Sequence, residues 1–264
     1  MRYIYPLVFL LVLSLGTEAK IDSDPLKNRI DSLKNALKDA HDQARADLLN
    51  QLSWEIRNIN IDSSMMYATK ALVLSEKMNY ANGRNHALNY IGIGYRNKSN
   101  YSTALDYFFD ALRSSELSND IKEQSYTLIN IGNIYIYQTN FTGALTYFQR
   151  ALENGLKINN EDIIAYSHSN LGRSYIGLEK YTEAEQHINK AQDIREKKND
   201  TEGILILSVD LANLYLRQGR IEESLHLLHS NINALKALDH KSTLAYSYLT
   251  MAKIYLVKNE GSNA

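Results

Sequence analysis

Apolar residues recur three and four positions apart along most of the chain. In the stretch INIGNIYIYQTNFTGALTYFQRAL, residues 129–152, Gly132 precedes Tyr135 by three positions and Ala144 precedes Phe148 by four. Residues at these spacings share one face of an α-helix. The stretch therefore predicts two closely packed helices, each offering a small residue beside an aromatic ring.

The same pattern returns every 40 residues without a gap from Ala81 onwards. A small residue and a tyrosine three positions later define the first helix of each row, and a second small and large pair defines the second helix. The small column of the first helix is Gly92, Gly132, Gly172, Ala212 and Ala252, followed by Tyr95, Tyr135, Tyr175, Tyr215 and Tyr255. The second helix carries Ala104, Ala144, Ala184 and Ser224, then Phe108, Phe148, Ile188 and Leu228. A repeated helix hairpin is therefore predicted.

The rows divide the chain into units. Residues 81–120, 121–160, 161–200 and 201–240 are regular repeats, and 45–80 is a divergent first repeat that fits if one residue is deleted near Ile61. Residues 20–44 predict a leading helix, with Asp24 and Pro25 as its N-cap and first turn, that covers the first repeat. Residues 241–264 form a terminal half-repeat with one helix, predicted over 241–258.

These columns resemble the tetratricopeptide repeat, whose signature is a large apolar residue, L-G-x-x-Y, A-x-x-x-F and a further small residue. The resemblance covers nearly all of the chain after residue 20. It implies an all-α fold, a right-handed α-solenoid of helix hairpins. The period of 40 exceeds the usual 34, which predicts longer helices, and the proline that often ends the second helix is missing.

The N-terminus reads as a secretory signal peptide over residues 1–19. Arg2 precedes an apolar run from Leu7 to Leu15, and Thr17 and Ala19 are placed as the small residues of a cleavage site. A retained membrane anchor is the alternative, although the run is shorter than the ~20 residues that span a bilayer. We expect an exported protein, periplasmic or secreted, without a membrane span after cleavage.

Composition narrows the classes of function further. The chain has 264 residues, 44% hydrophobic, with 29 Lys and Arg against 30 Asp and Glu, so it is globular and lacks the basic bias of a nucleic-acid binder. It has no cysteine. Disulfides, thiol catalysis and cysteine-ligated metals are therefore excluded, and packing alone must stabilise the fold.

No catalytic or cofactor-binding motif stands out. The chain lacks a phosphate-binding glycine loop, a GxSxG elbow, an HExxH pair and a calcium loop. His226 and His229 share a helix side, but no acidic residue nearby completes a metal site. We therefore expect no enzyme, no cofactor and no metal.

Function in a solenoid of this kind is expected on the concave surface, formed by the first helix of each repeat. The face opposite the packing side collects a ladder of polar residues: Asn130, Asn133, Asn170, Arg173, Asp210, Asn213, Thr250 and Lys253. Asn side chains both donate and accept hydrogen bonds, so such a ladder can bind the backbone of an extended peptide. Arg96 and Arg217 add to a local positive bias, and Tyr126, Tyr166 and Tyr246, with His86 in the equivalent row, could line one edge.

A competing interpretation assigns the same residues to packing between neighbouring repeats. Asn is common in these columns of the repeat family, and Ile136, Ile176 and Leu216 are apolar residues on the groove side. Interfaces between neighbours can account for the pattern without a ligand. The terminal helix 241–258 also repeats the apolar pattern, at Leu244, Tyr248, Met251 and Tyr255, which predicts self-association or docking of a partner there.

The sequence thus predicts an exported, non-catalytic scaffold or adaptor that binds a protein or peptide in its concave groove. The alternative is the extracytoplasmic sensory region of a larger signalling protein. The leading helix, the LNQLSWEIRN unit and the 40-residue repeats are similar to the periplasmic regions of bacterial two-component sensor histidine kinases and related regulators.

Overall fold

The fold is an all-α solenoid, seen in a computed structural model that describes residues 25–238 and 241–262. Its helices follow one another as hairpins, and no strand occurs in these ranges. They are α1 Pro25–Asp39, α2 Asp42–Ile56, α3 Ile61–Lys77, α4 Ala81–Asn97, α5 Tyr101–Leu117, α6 Ile121–Tyr137, α7 Phe141–Lys157, α8 Glu161–Gly177, α9 Tyr181–Lys197, α10 Thr201–Arg217, α11 Ile221–Ala237 and α12 Lys241–Ser262. The predicted signal peptide, residues 1–19, and the predicted N-cap Asp24 lie outside the described residues.

The helices keep a strict register from α3 to α11. Each has 17 residues, and three residues join it to the next, so a new helix begins every 20 positions. Two such units give the 40-residue period seen in the sequence. The turn inside a repeat and the turn between repeats therefore have the same length.

In the three-residue turns from α3 to α11, a left-handed residue in the middle ends the preceding helix in place of the missing proline. The backbone φ is positive at all eight of these positions: Asn79, Ser99, Asn119, Thr139, Asn159, Glu179, Asn199 and Gly219. The following residue closes the turn by donating its backbone N–H five positions back, as Asn140 does to the carbonyl of Tyr135 at 2.8 Å. This satisfies carbonyl groups that a helix end otherwise leaves free.

The next helix begins at once because the same turn supplies its N-cap. The Asn140 side chain accepts a hydrogen bond from the backbone N–H of Gly143 at 2.9 Å, and Asp120, Asn160 and Asp200 cap α6, α8 and α10 in the same way. Such a cap typically contributes about 1 kcal/mol. Stop and start signals thus occupy adjacent residues.

The small column of each first helix lets the second helix approach. A Cβ atom built on Gly92 would lie 2.6 Å from Phe108, and one on Gly172 would lie 2.8 Å from Ile188. Phe108, Phe148 and Ile188 are fully buried. The predicted notch between the two helices of a repeat is therefore where the sequence columns place it.

A second set of notches lies between repeats. Gly155 in α7 makes room for Ile163 in α8, since a Cβ on Gly155 would lie 2.8 Å from Cγ2 of Ile163. At the next junction the large and small residues change sides. Arg195 in α9 occupies the space beside Gly203 in α10, where a Cβ would collide with its guanidinium. Volume is thus matched across each junction by a different pair of residues.

The concave side of the solenoid is formed by the first helices. Successive first helices, α2, α4, α6, α8, α10 and α12, contact one another. Within the described ranges the second helices of successive repeats do not approach each other in this way. The stack therefore curves with its first helices inside.

Helix α1 covers the N-terminal end of the stack, where Leu37 packs against the cluster that contains Leu49 and Arg29 bonds Glu55 at 3.1 Å. At the other end, α12 extends beyond the predicted limit of residue 258 to Ser262. No described helix combines the length and the apolar character needed to cross a bilayer.

Candidate functional site

The predicted polar ladder separates into two columns with different surroundings. The inner column consists of Asn130, Asn170, Asp210 and Thr250, and its members are used inside the protein. Asn130 donates to Oδ1 of Asn89 at 3.3 Å, and Asn170 donates to the backbone carbonyl of Tyr166 at 2.9 Å. Thr250 likewise bonds the carbonyl of Tyr246. These three side chains therefore form hydrogen bonds within the chain, Asn130 to a neighbouring first helix and the other two within their own helix.

The outer column consists of Asn133, Arg173, Asn213 and Lys253, and these residues are partly or fully open to solvent. Among the described residues, neither Asn133 nor Asn213 has a hydrogen-bond partner for its side-chain amide. Each amide carries two donors and one acceptor, the set that a peptide backbone can use. Of the two columns of the predicted polar ladder, only the outer one therefore leaves side-chain amides available to a ligand.

Arg173 differs from its neighbours in the outer column because it is paired. Its Nε and Nη2 atoms donate to the two carboxylate oxygens of Asp210 at 3.0 and 2.8 Å, and Nη1 donates to Asn170 at 3.3 Å. Asp210 is 1% exposed, and its negative charge is the main cause of the raised pKa of Arg173. The carboxylate of Asp210 therefore neutralises the positive charge that was predicted for the groove at Arg173.

The remaining predicted cations lie towards the C-terminal end of the groove. Arg217 and Lys253 are exposed, and in the described part of the chain neither forms an ion pair. Arg96, at the N-terminal end, is largely buried, which lowers its pKa, and it donates to the Asn97 side chain. An acidic ligand group would therefore find a free cation at Arg217 or Lys253.

The three predicted groove tyrosines have unequal surroundings. Tyr166 is exposed on one side and carries the guanidinium carbon of Arg195 at 4.9 Å from its ring centre on the other. Tyr126 is half-buried, and burial raises its pKa. Burial also raises the pKa of Tyr246, to about 12, in a setting shared with Asp210. Tyr166 is therefore the tyrosine most open to a ligand.

The N-terminal end of the groove carries an aromatic cluster that sequence reasoning missed. Trp54 lies 5.6 Å from the ring of Tyr90, and the guanidinium carbon of Arg57 sits 3.5 Å from the Trp54 ring centre. His86 joins this group through Tyr90, with ring centres 6.0 Å apart and the rings edge to face, and its Nε2 lies 3.5 Å from Oε1 of Glu123. The single tryptophan of the chain was the signal that could have marked this place.

Burial lowers the pKa of Arg57, and the negative charge of Glu55 partly offsets that effect. The guanidinium group of Arg57 therefore belongs to the aromatic cluster around Trp54.

A second unexpected feature is a pair of histidines between α8 and α9. The Nδ1 atoms of His168 and His187 are 2.8 Å apart, and His187 stacks on Tyr175 with ring centres 5.3 Å apart. Burial, with the nearby His187 and Lys190, lowers the pKa of His168 to about 4. The preceding repeat has Leu128 and Tyr147 at the equivalent positions. The pair is thus a local polar substitution in an apolar column.

The described residues contain no group of three or more His, Asp or Glu side chains placed to hold a metal ion. His226 and His229 are exposed on α11. The groove therefore offers amides, aromatic rings and a few charges, which is chemistry suited to recognition.

Comparison with known proteins agrees with this architecture. Residues 123–197 match the family model described as tetratricopeptide repeat. No curated protein matches the chain significantly.

Several solved structures share the fold. Apo RapI superposes with a TM-score of 0.67 at 18% identity, over 91% of this chain and 94% of that one. A Rap protein complexed with competence and sporulation factor gives 0.66 at 18% identity, over 89% and 71%. NprR in complex with its cognate peptide NprX gives 0.68 at 17% identity, over 90% and 68%. At these identities the likeness concerns the arrangement of helices.

Proposed function

We propose that this chain, whose repeats are of the tetratricopeptide type, binds an extended segment of a protein or peptide on its concave face, without catalysis of its own. The observation that carries the proposal is the pair of unpartnered amides, Asn133 and Asn213, in the open column of the groove. Two of the structures with the same fold contain a bound competence and sporulation factor and a cognate peptide, respectively, which supports this use of the surface.

The groove favours a particular kind of ligand. Asn133 and Asn213 belong to first helices two repeats apart, and helices pack at about 10 Å from axis to axis. The two amides are therefore separated by about 20 Å. An extended chain rises about 3.3 Å per residue, so about six residues connect them. The Arg173–Asp210 pair lies between the two amides and carries no net charge. Arg217 lies further towards the C-terminal end of the groove and forms no ion pair with a described residue.

The two ends of the groove favour different ligand groups. Arg217 and Lys253 favour a carboxylate at the C-terminal end, while the Trp54 and Tyr90 rings favour an apolar or aromatic side chain at the other.

The proposal can be tested without knowing the natural ligand. A displayed library of random 12-residue peptides is selected against the purified protein, and the selected peptides are mapped by hydrogen exchange. Protection is expected in α6, α8 and α10, on the first helices. Protection confined to α5, α7 and α9, or a selection that yields no binder, would contradict the proposal.

We further propose that the protein acts outside the cytoplasm, because Arg2, the apolar run 7–15 and Ala19 have the order of a signal peptide. The mass of the protein recovered from its native cells tests this directly. Loss of residues 1–19 is expected, whereas an intact N-terminus would support an anchor or a cytoplasmic protein. The alternative function, as the sensory region of a signalling protein, requires the same location outside the cytoplasm.

A further inference from the structure

The last helix, α12, is packed on one side and bare on the other. Ile254 is fully buried, and Leu244 and Met251 contact the apolar cluster that holds α10 and α11. The opposite side is a strip of six uncharged residues, which we call the α12 strip: Ala245, Tyr248, Leu249, Ala252, Tyr255 and Leu256. Its four large members are 44%, 52%, 47% and 63% exposed in that order.

The α12 strip differs from the exposed face that the sequence predicts. Leu244 and Met251 were expected to face water but lie against the core, while Leu249 and Leu256 take their place. Only the two tyrosines of the predicted set are exposed. The physical reason is that α12 docks on α10 and α11 through the side that carries Leu244, Met251 and Ile254.

In the inner repeats a second helix covers the equivalent surface. Leu128 and Ile129 of α6, which correspond to Tyr248 and Leu249, are 1% and 8% exposed. Gly132, which corresponds to Ala252, lies against Phe148 of α7. The α12 strip therefore has the composition of a helix-packing surface, and the occupant it requires is another helix.

The residues of the α12 strip recur at intervals of seven. Ala245 and Ala252, Tyr248 and Tyr255, and Leu249 and Leu256 form three such pairs. A seven-residue repeat of apolar positions keeps one helix face in continuous contact with a partner helix. Ala245 and Ala252 place one small residue in each seven-residue repeat, which permits a partner helix to approach closely.

The strip is its own complement when a second copy lies antiparallel to it. With a two-fold axis between Thr250 and Met251, residue numbers that add to 501 face each other. Ala245 then faces Leu256 of the second copy, and Leu249 faces Ala252. In these two pairs a small residue meets a large one, as Gly132 meets Phe148 inside its repeat.

Charge does not oppose this arrangement. The α12 strip has no ionisable side chain that is charged at neutral pH, so two copies bring no like charges together. Lys258 is paired with Glu222 at 2.6 Å, on the side of α12 that faces its own chain. Lys253 belongs to the concave side of the helix.

We propose that the α12 strip docks a second copy of this chain as an antiparallel, two-fold helix pair. Six side chains bury less than the about 800 Å² per partner that a standard interface provides. The dimer is therefore weak and depends on concentration. Because the strip lies beside the concave column and not in it, this dimer does not require the proposed ligand.

Sedimentation over protein concentrations from 1 to 200 μM tests the proposal. The weight-average mass of the parent is expected to rise from that of a monomer towards twice that value. A variant with Leu249→Glu and Leu256→Glu is expected to remain monomeric throughout. The matched control, Leu117→Glu with Leu156→Glu, adds the same charge at exposed leucines elsewhere and is expected to behave as the parent.

The absence of cysteine permits a second test of register. Ala245→Cys protein is mixed with Leu256→Cys protein under oxidation. A disulfide between the two variants is expected to form at least ten times faster than within either one alone. A parent that stays monomeric at 200 μM, a dimer that survives both Glu substitutions, or equal cross-linking in all mixtures would overturn the proposal.

Discussion

A Cβ atom on Gly132 would lie 2.5 Å from Cε1 of Phe148, which is shorter than non-bonded carbon atoms tolerate. The two residues are 16 positions apart, on α6 and α7, and equivalent pairs recur in the neighbouring repeats. This contact fixes the distance between the helices of each hairpin. The curvature of the solenoid and the position of its concave columns follow from it.

Gly132→Leu is therefore expected to destabilise the protein by roughly 1–3 kcal/mol or more, because the notch is already filled by Phe148. Urea denaturation followed by circular dichroism measures the change. Ala252→Leu is the matched control, since Ala252 holds the same column position but is exposed. An equal loss of stability in both variants would show that the notch is not the cause.

Two substitutions in the turns are predicted to change the unfolding free energy in opposite directions. Thr139 and Asn119 occupy equivalent left-handed positions, with φ of 57° and 53°. This conformation costs about 1–2 kcal/mol for most residues and less for asparagine. Thr139→Asn should raise the unfolding free energy by about 0.5–1 kcal/mol, and Asn119→Thr should lower it by a similar amount. Changes of the same sign in the two variants would contradict this account of the turn.

The Arg173–Asp210 pair should behave as a buried ion pair. Arg173→Met leaves the buried carboxylate of Asp210 without its partner, and a loss of about 3–5 kcal/mol is expected. The double variant Arg173→Met, Asp210→Leu should be more stable than Arg173→Met, since it removes the stranded charge. Chemical denaturation of both variants and the parent measures these two differences in unfolding free energy. A double variant less stable than Arg173→Met would argue that the pair makes a net contribution beyond charge balance.

The histidine pair should make stability depend on pH. The folded-state pKa of His168 is about 4, below its ordinary value of 6.5, so the unfolded chain binds more protons between these values. The stabilisation is complete above pH 6.5 and is lost as the pH falls towards 4, by on the order of 3 kcal/mol. Burial also lowers the pKa of His187, which acts in the same direction.

The control restores the residues of the preceding repeat, with His168→Leu and His187→Tyr. Thermal melts between pH 7 and pH 4 should show a smaller fall in Tm for this variant than for the parent. Parallel curves would exclude the pair as the source of the acid sensitivity. Lys190, whose charge contributes to the lowered pKa of both histidines, is kept in both proteins.

The repeat and its packing columns could be predicted from the sequence because they depend on neighbours within 20 residues. The small column at Gly132 and the ring at Phe148 need only helical periodicity. The division of the polar ladder could not be predicted in this way. It depends on how successive first helices are rotated, which turns Asn130 towards α4 and leaves Asn133 open.

Contacts between particular side chains on different helices could not be predicted from the sequence either. Arg173 and Asp210 were both placed on the concave face, but their contact joins two repeats and reverses the expected role of Arg173. The contact between His168 and His187 lies within one repeat and was missed as well, because helical periodicity alone does not give the crossing of α8 and α9. Opposite charges in adjacent rows, and polar residues in an otherwise apolar column, are the signals that could have indicated these contacts.

The most direct test of the central claim is the dissociation constant of a selected peptide for two matched variants. Asn133→Ala with Asn213→Ala removes the open amides of the concave column, while Asn189→Ala with Asn233→Ala removes two exposed amides from α9 and α11. Each lost hydrogen bond is worth about 0.5–1.5 kcal/mol, so the concave variant, which loses two, should bind at least about fivefold more weakly. The control should bind as the parent does. Equal affinity of both variants, with helical circular dichroism unchanged, would contradict a ligand site on the concave face.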